Sequence, residues 1–516
     1  VTDSIDTDSG RVLELPAFKP IAYPYGTPEY WLHRLMRKLD VRWPELARWE
    51  SYYDGAHPLS FFDDKVREAF GERFSRFASN FTALVIDSIA ERIQVNGFRF
   101  KDDSGDDDLW AIWQENDLDG SSLMAHTEAL IKTTAYTLVE PRGGTTPRIT
   151  VEDPLDTIVE LDPRDRRKRL AGLKRWLDDD GHLIVYVYTP DNVFKYRTEQ
   201  TFQQSMRNAS DTIPRLQRMN VAGESWPLSN PMGVVPIVPL PNRPRARQTE
   251  GRSEVEVIAS NQDLINYYRV MSVIAARYTA YPQRWVKNLP IMLDPVTGLP
   301  SQPFKGGMAD LWQIEPYGPD DPRALNSAAQ PEFGQFLPGS VDPYIRLIEH
   351  EVAAMTSIAA VPYFYVLGGP TAIPPSGESL KSSEARLVNK VRAIEVFFGE
   401  GWEETMRVAM LAMKDERAHM RVAETRWTNT ETRNEAVHTD SIVKQASLLD
   451  DETSLEELGY SPQQIKRIAE RKKKAADEAA AAAPPPAPTN PLDMLELVPA
   501  PTGPRMSPTP PDDAQG

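Results

Sequence analysis

The stretch from Met232 to Asn288 constrains this chain more than any other. A Pro-broken strand, Gly233-Val234-Val235-Pro236-Ile237-Val238-Pro239-Leu240-Pro241, runs into an Arg/Pro loop, and Gly251-Arg252-Ser253-Glu254 leads into a long helical pattern. Ser253 and Glu256 stand at capping-box spacing, which gives that helix a defined start. Apolar residues recur at Val257, Ile258, Leu264, Ile265, Tyr268, Met271, Ile274, Ala275 and Tyr278, the period of a helix. Pro282 ends the run, because it lacks an N–H and pushes Tyr281 out of the helical region. Some 28 residues at ~1.5 Å each make a rod on the order of 40 Å. Such a rod between proline-stiffened flanks reads first as a structural strut.

The 516 residues suffice for a large core and more than one domain, and 41% hydrophobic with 26% charged is an ordinary soluble composition. No run approaches the roughly 18 apolar residues of a membrane helix, and no N-terminal segment resembles a signal peptide, so no membrane partner is expected. The absence of cysteine removes disulfides, thiolate metal sites and cysteine nucleophiles, in keeping with a reducing cytoplasm. The formal net charge is −17. A protein that grips DNA carries a basic face, because binding draws on phosphate neutralisation. Between Ser253 and Tyr281 the charges are Glu254, Glu256, Asp263, Arg269 and Arg277, a net of −1. A strut of this charge, if it faces DNA, should repel it or let it slide rather than hold it. An acidic protein that never meets nucleic acid fits the charge equally well.

Along the chain, residues 1–26 lack apolar periodicity and read as a disordered N-terminal arm. From Thr27 to about Tyr136 the pattern is helical. Thr27-Pro28 opens one helix, Gly55 follows another, and Asn80 caps a third with Phe81, Leu84, Val85, Ile89 and Ile93 on one stripe. From Tyr136 to Leu240 short β-branched runs take over, at 149–151, 157–159, 173–177 and 183–188, with Asp178-Asp179-Asp180-Gly181 as a hairpin turn. From Arg243 to about Met413 two struts surround a Pro- and Gly-rich insert, with strands expected near Arg284-Trp285-Val286 and Leu311-Trp312-Gln313-Ile314. Asp342 is placed to cap the return helix, with Pro343 in its first turn and Pro362 closing it. A longer helix from about Glu378 to Met413 carries Leu387, Val391, Ile394, Phe398, Trp402, Met406 and Met410, with Gly399 and Gly401 suggesting a bend. Arg421 to Glu478 reads as a short helical set with Thr428 or Thr430 as caps. The Ala/Pro-rich tail from 479 to 516 reads as disordered, and within it Pro491 to Val498 is either a docking peptide or plain tail. The fold class expected is α+β, mainly helical.

The Val-Pro-Ile-Val-Pro-Leu-Pro-Asn-Arg strand, the Gly-Arg-Ser-Glu segment and Pro282-Gln283-Arg284-Trp285 together resemble the portal proteins of long-tailed bacteriophages, in the version common among actinobacteriophages. Trp49 to Gly55 is similar to that family's early Tyr-Tyr-x-Gly segment, and Asn80 to Phe98 to the helix and strand after it. The resemblance spans roughly Thr27 to Arg471. It implies a homo-oligomeric ring of about twelve subunits at one capsid vertex, with a channel for double-stranded DNA packaging and ejection. It divides the chain into a wing (27–242), a first stem helix (243–281), a clip (282–341), a second stem helix (342–361), a tunnel loop (362–378), a bent helix returning to the wing (379–415) and a crown (416–478). Tyr363, Tyr365, Gly368, Gly369, Ser376, Gly377 and Lys381 would then edge the DNA channel, although Lys381 equally fits an ordinary exposed helix. Arg284, Trp285, Lys287 and Trp312 would meet partners at the clip. The partners implied are non-sequence-specific duplex DNA, the terminase large subunit, the major capsid protein with its scaffold, and a head-tail adaptor. The location implied is the virion, after assembly in the host cytoplasm.

No catalytic motif competes, and no cofactor is expected. His350-Glu351 begins like a zinc-protease helix, but Ala354 occupies the second ligand position. The acidic run from Asp102 to Asp108 lacks EF-hand spacing and reads as a solvated loop capping the helix at Leu109-Trp110. A DNA-processing enzyme using Asp106 and Asp108 as metal ligands is one alternative, and a capsid or tail adaptor that oligomerises without conducting DNA is another. Arg164 to Arg169 fits either a nucleic-acid contact or a charged turn. Arg471-Lys472-Lys473-Lys474 is read as ending a helix, where cations suit the dipole, with packaged DNA as the other contact.

Overall fold

The computed structural model describes residues 21–57, 79–100, 106–143, 145–201, 215–280, 284–288, 297–298, 332–335, 339–367, 377–421, 423–430, 454–455, 458, 460 and 462–482. They divide into two compact units, Val1–Pro462 and Gln463–Gly516. The class is α+β.

The first unit opens as its sequence dictates. Helix α1 (Pro28–Tyr53) has Pro28 at its start, and the Thr27 side chain accepts from the Tyr30 N–H. Its first half packs Trp31, Leu35, Met36 and Leu39 against a sheet, and its second half sends Leu46, Trp49 and Tyr52 into the main core. Asn80 caps α2 (Phe81–Ala90) by accepting from Ala83 N–H. Val85 and Ile89, with Ile93 just beyond the helix, are buried, but Leu84 is 45% exposed, so the buried stripe is narrower than the apolar pattern. Strand β1 (Val95–Phe100), α3 (Asp107–Glu115) and α4 (Leu118–Lys132) complete the helical part.

The β region forms two antiparallel sheets. One orders β10 (Ile237–Pro241), β2 (Thr134–Arg142) and β3 (Thr145–Glu152). Its β10 lies at the edge, where prolines 239 and 241 interrupt no inner ladder. The other runs β4 (Thr157–Leu161), β5 (Arg169–Leu177), β6 (Leu183–Tyr188), β7 (Asn192–Thr198) and β8 (Leu216–Arg218), with β9 (Leu228–Ser229) also on β7. The β5–β6 turn holds Gly181 at φ +79°, which explains the glycine after three aspartates.

Next come α5 (Ala259–Ala280), β11 (Arg284–Lys287), β12 (Glu332–Gln335), α6 (Asp342–Ala359), the short α7 (Tyr363–Val366) and α8 (Gly377–Met413). Helix α8 lies across the three-stranded sheet, with Leu387, Val391, Ile394, Phe398, Trp402, Met406 and Met410 buried in one line. It is a single helix through Gly399 and Gly401. Gly401 serves close approach: a Cβ there would stand 3.2 Å from the Pro239 carbonyl and 2.9 Å from Leu240 Cγ. Asp342 is the first residue of α6 and makes no capping bond as the preceding residue; Val341 holds that place.

Two expectations for the C-terminal part are corrected. The segment expected to be helical from Arg421 opens with strand β13 (Ala423–Trp427), which pairs antiparallel with β1 and closes on Thr428 N–H donating to Gln94 O. In the second unit, α9 (Pro462–Ala482) continues past Arg471–Lys474, so those cations lie within the helix rather than at its end. The segments around Leu311–Ile314 and Pro491–Val498 lie outside the described residues.

Candidate functional site

The struts are real and lie side by side. Near the start of α5, Asn261 Nδ2 donates to Glu351 Oε2 of α6 at 3.0 Å, and near its end Thr279 Oγ donates to Gly339 O at 2.9 Å. Two ties at opposite ends fix the pair as antiparallel. At about 1.5 Å per residue, their 22 and 18 residues give lengths of roughly 33 and 27 Å.

Helix α5 begins later than the capping box predicts. Ser253 Oγ does accept from Val255 and Glu256 N–H groups, at 3.1 and 3.2 Å, and it donates to Ile131 O at 2.6 Å. Residues 254–258 nevertheless form turns, and the α-helix starts at Ala259. Tertiary ties take the first turn: Glu254 N–H is held by Leu130 O at 2.8 Å, and its carboxylate is drawn to Lys390 Nζ at 2.5 Å and to Arg243. Burial alone would raise the Glu254 pKa, yet the two cations hold it below the usual carboxylate value.

Three polar residues root α5 in the core, and apolar periodicity passes over them. Gln262 Oε1 accepts from Phe81 and Thr82 N–H at 3.0 and 3.1 Å, satisfying the open N-terminus of α2. Asn266 Oδ1 accepts from Ser79 N–H at 2.9 Å. Asp263, counted from sequence as a strut charge, is buried and accepts from the Tyr52 hydroxyl at 2.9 Å. The sequence signal is the i, i+4 spacing of the amides Gln262 and Asn266, which puts them on one face of the helix.

At the far end of the struts, β11 and β12 form a two-stranded sheet. Arg284 stands opposite Gln335, and the Trp285 ring lies over Gly334, leaving no room for a Cβ. Lys287 is exposed, 4.0 Å from Glu332. Trp312 lies outside the described residues.

Beyond α6 the candidate loop residues separate. Tyr363 is 42% exposed. Tyr365 is not free: its hydroxyl donates to the buried Glu384 carboxylate of α8, and Arg92 Nη2 donates to the same hydroxyl at 2.5 Å. Arg92 also donates to Thr430 O at 2.7 Å, so one guanidinium ties α2, α7, α8 and the end of β13. Gly377 opens α8 and Lys381 lies in its second turn, while Gly368, Gly369 and Ser376 lie outside the described residues.

The acidic run before α3 and the basic run before β5 have structural partners. Asp106 caps α3 by accepting from Asp108 and Leu109 N–H, and Asp106 and Asp108 each pair with Arg417 at 3.0 Å. Among the described residues no group of acidic or histidine side chains could hold a metal ion. In the basic run, Arg166 donates to the carbonyls of Arg245 and Ala246, and Arg169 is buried against Glu404 at 2.6 Å. No helix among the described residues is long and apolar enough to cross a membrane.

Comparison with known proteins gives this arrangement its context. The portal proteins of Mycobacterium phages D29 and L5 are each 28% identical to this chain. The D29 match spans 413 residues, 75% of this chain and 76% of the relative; the L5 match spans 415, 76% and 78%. A chain from the virion of a native gene transfer agent particle aligns over 77% of this chain and 94% of its own, at 11% identity and a TM-score of 0.40. The family profile "Phage portal protein, SPP1 Gp6-like" matches residues 32–478. The chain belongs to the SPP1 Gp6-like family of phage portal proteins.

Proposed function

We propose that this portal protein is one subunit of a closed ring of about twelve copies at a single capsid vertex, through which duplex DNA enters and leaves. The antiparallel pair α5 and α6, tied at both ends and carrying a small sheet at its tip, is the observation that supports this reading. Struts of this kind can stand side by side around a bore, each pair packing on the next copy's pair. Exposed Val273, Ile345, Leu347 and Ile358 supply apolar surface for that contact.

In this reading residues 27–242 form the wing, α5 and α6 the stem, and 282–341 the clip, which meets the terminase large subunit during packaging and the head-tail adaptor afterwards. Residues 362–378 form the tunnel loop, 379–415 the helix returning to the wing, and 416–478 the crown within the capsid, near the major capsid protein and scaffold. Its role is mechanical, with no catalytic step. The exposed charges of α6 include Asp342, Arg346 and Glu349, so DNA finds no strongly basic track to bind it.

A packaging assay tests the conduit. Procapsids assembled with the Gly369→Val, Gly377→Val double variant should contain a normal portal ring but protect much less DNA from nuclease. Normal DNA protection by that variant would remove the tunnel-loop assignment.

A further inference from the structure

At the root of the struts a hollow of about 500 Å³ opens between the turn before α5, the C-terminal end of α6 and the N-terminal half of α8. Four cations line it: Arg243, Arg252, Arg386 and Lys390. The one carboxylate in its wall, Glu254, already serves two of them, Lys390 and Arg243. Asn242 Nδ2 donates to the Arg252 backbone carbonyl at 2.7 Å, but no ion pair or hydrogen bond to the guanidinium of Arg252 or Arg386 occurs among the described residues. The pocket therefore holds an excess of positive charge on a chain whose formal net charge is −17. Lys390 registers that excess: burial and the nearby Arg243 and Arg252 lower its pKa despite the Glu254 partner.

We propose that this hollow is the socket for an acidic side chain presented by a second copy of the chain. The inference rests on the ring reading above and adds a specific contact to it. Shape and charge select this occupant over the DNA backbone. Lys390 is only 9% exposed and lies deep, whereas Arg386 and Asn389 stand at the exposed rim. A carboxylate on a methylene stem can reach both levels, but the phosphates of a rigid duplex remain at the rim. Val257 and Ile358 provide apolar wall for such a stem, and Ile358 is 53% exposed.

The chain has no cysteine, so a single thiol can be placed at the rim without competition. Full-length Asn389→Cys, labelled with benzophenone maleimide, is irradiated with and without a short duplex DNA, and its oligomeric state is read by mass photometry. Covalent chain–chain dimers are expected, with the second attachment site on a peptide bearing an exposed Asp or Glu. Adding Arg252→Glu and Arg386→Glu should lower their yield about tenfold. Arg386 lies on the exposed surface of α8, so Arg386→Gln alone keeps the fold and must still lower the yield. Rings that give no covalent dimer overturn the socket while leaving the ring reading intact. Monomers without dimer overturn both, and attachment to the DNA in place of a second chain assigns the hollow to phosphate.

Discussion

The Tyr365 hydroxyl donates to the Glu384 carboxylate, joining the two ends of the segment between α7 and α8. Glu384 is 4% exposed at its side chain, and Arg92 stands 3.3 Å away on its other side. The loop read as the DNA-contacting element is thus held at its base by a buried hydrogen-bonded charge pair. Tyr365→Phe should cost about 1.5–3 kcal/mol, the range for a hydrogen bond to a charged group. A melting-temperature drop of a few degrees checks it; an unchanged value would show that the tie contributes nothing.

Glu254 and Lys390 form a second buried pair, between the root of α5 and α8. Glu254→Gln leaves Lys390 and Arg243 facing each other without a full countercharge, and should cost about 3–5 kcal/mol. Because the folded pKa of Glu254 lies below its ordinary value, its contribution is whole above the unfolded carboxylate pKa and is lost as pH falls through the folded one. Denaturant titration should therefore show the variant's deficit at pH 7 shrinking in strong acid.

His126 sets a separate acid limit. It is fully buried, stacked on Phe398, with Nδ1 donating to Ile93 O at 3.1 Å and Nε2 accepting from Trp402 Nε1 at 2.9 Å. Burial pushes its pKa from 6.5 down to about 3. Below pH 6.5 the unfolded chain takes up a proton that the folded site refuses, so stability falls until the folded pKa is reached. At ~1.4 kcal/mol per unit, the loss between pH 7 and 5 is about 2 kcal/mol. His126→Gln should flatten that part of the pH profile.

Glu395 acts in the opposite direction. Burial raises its pKa from 4.5 to about 7, and its Oε1 has no hydrogen-bond partner among the described residues. A raised carboxylate favours the fold below its unfolded pKa and loses that advantage as pH climbs through the folded one. Glu395→Gln should gain about 3 kcal/mol at pH 8 and progressively less towards pH 4.5. Chemical denaturation at the two pH values decides the sign.

Two glycines should respond in opposite directions to alanine. Gly251 is buried, and a Cβ there would overlap the Thr133 carbonyl and the Asn242 backbone, so Gly251→Ala should cost more than about 3 kcal/mol or prevent folding. Gly120 lies inside α4 with nothing near its Cβ position, so Gly120→Ala should gain up to about 1 kcal/mol. Thermal melts of the two variants provide the comparison.

What was legible in the sequence follows from how local each signal is. The caps at Thr27 and Asn80, the Asp-Gly hairpin and the apolar line from Leu387 to Met410 depend on neighbouring residues, and they stand as read. The first turn of α5 was misread because the Glu254 carboxylate is claimed by Lys390, 136 positions further on. Strand β13 escaped for a similar reason, since its partner β1 lies more than 300 residues earlier. Asp106 caps α3 as read, but only the fold shows that Arg417, about 310 positions further on, pairs with both Asp106 and Asp108. Gln262 and Asn266 carry no apolar period at all, and only folding shows that they satisfy backbone groups around α2.

The central claim is a closed ring with a bore wide enough for duplex DNA. Single-particle electron microscopy of the purified full-length chain, across a concentration series, tests it directly. The account predicts rings of about twelve copies, with α5 and α6 surrounding an open central channel. Small closed oligomers without a bore, or monomers at every concentration, would contradict it.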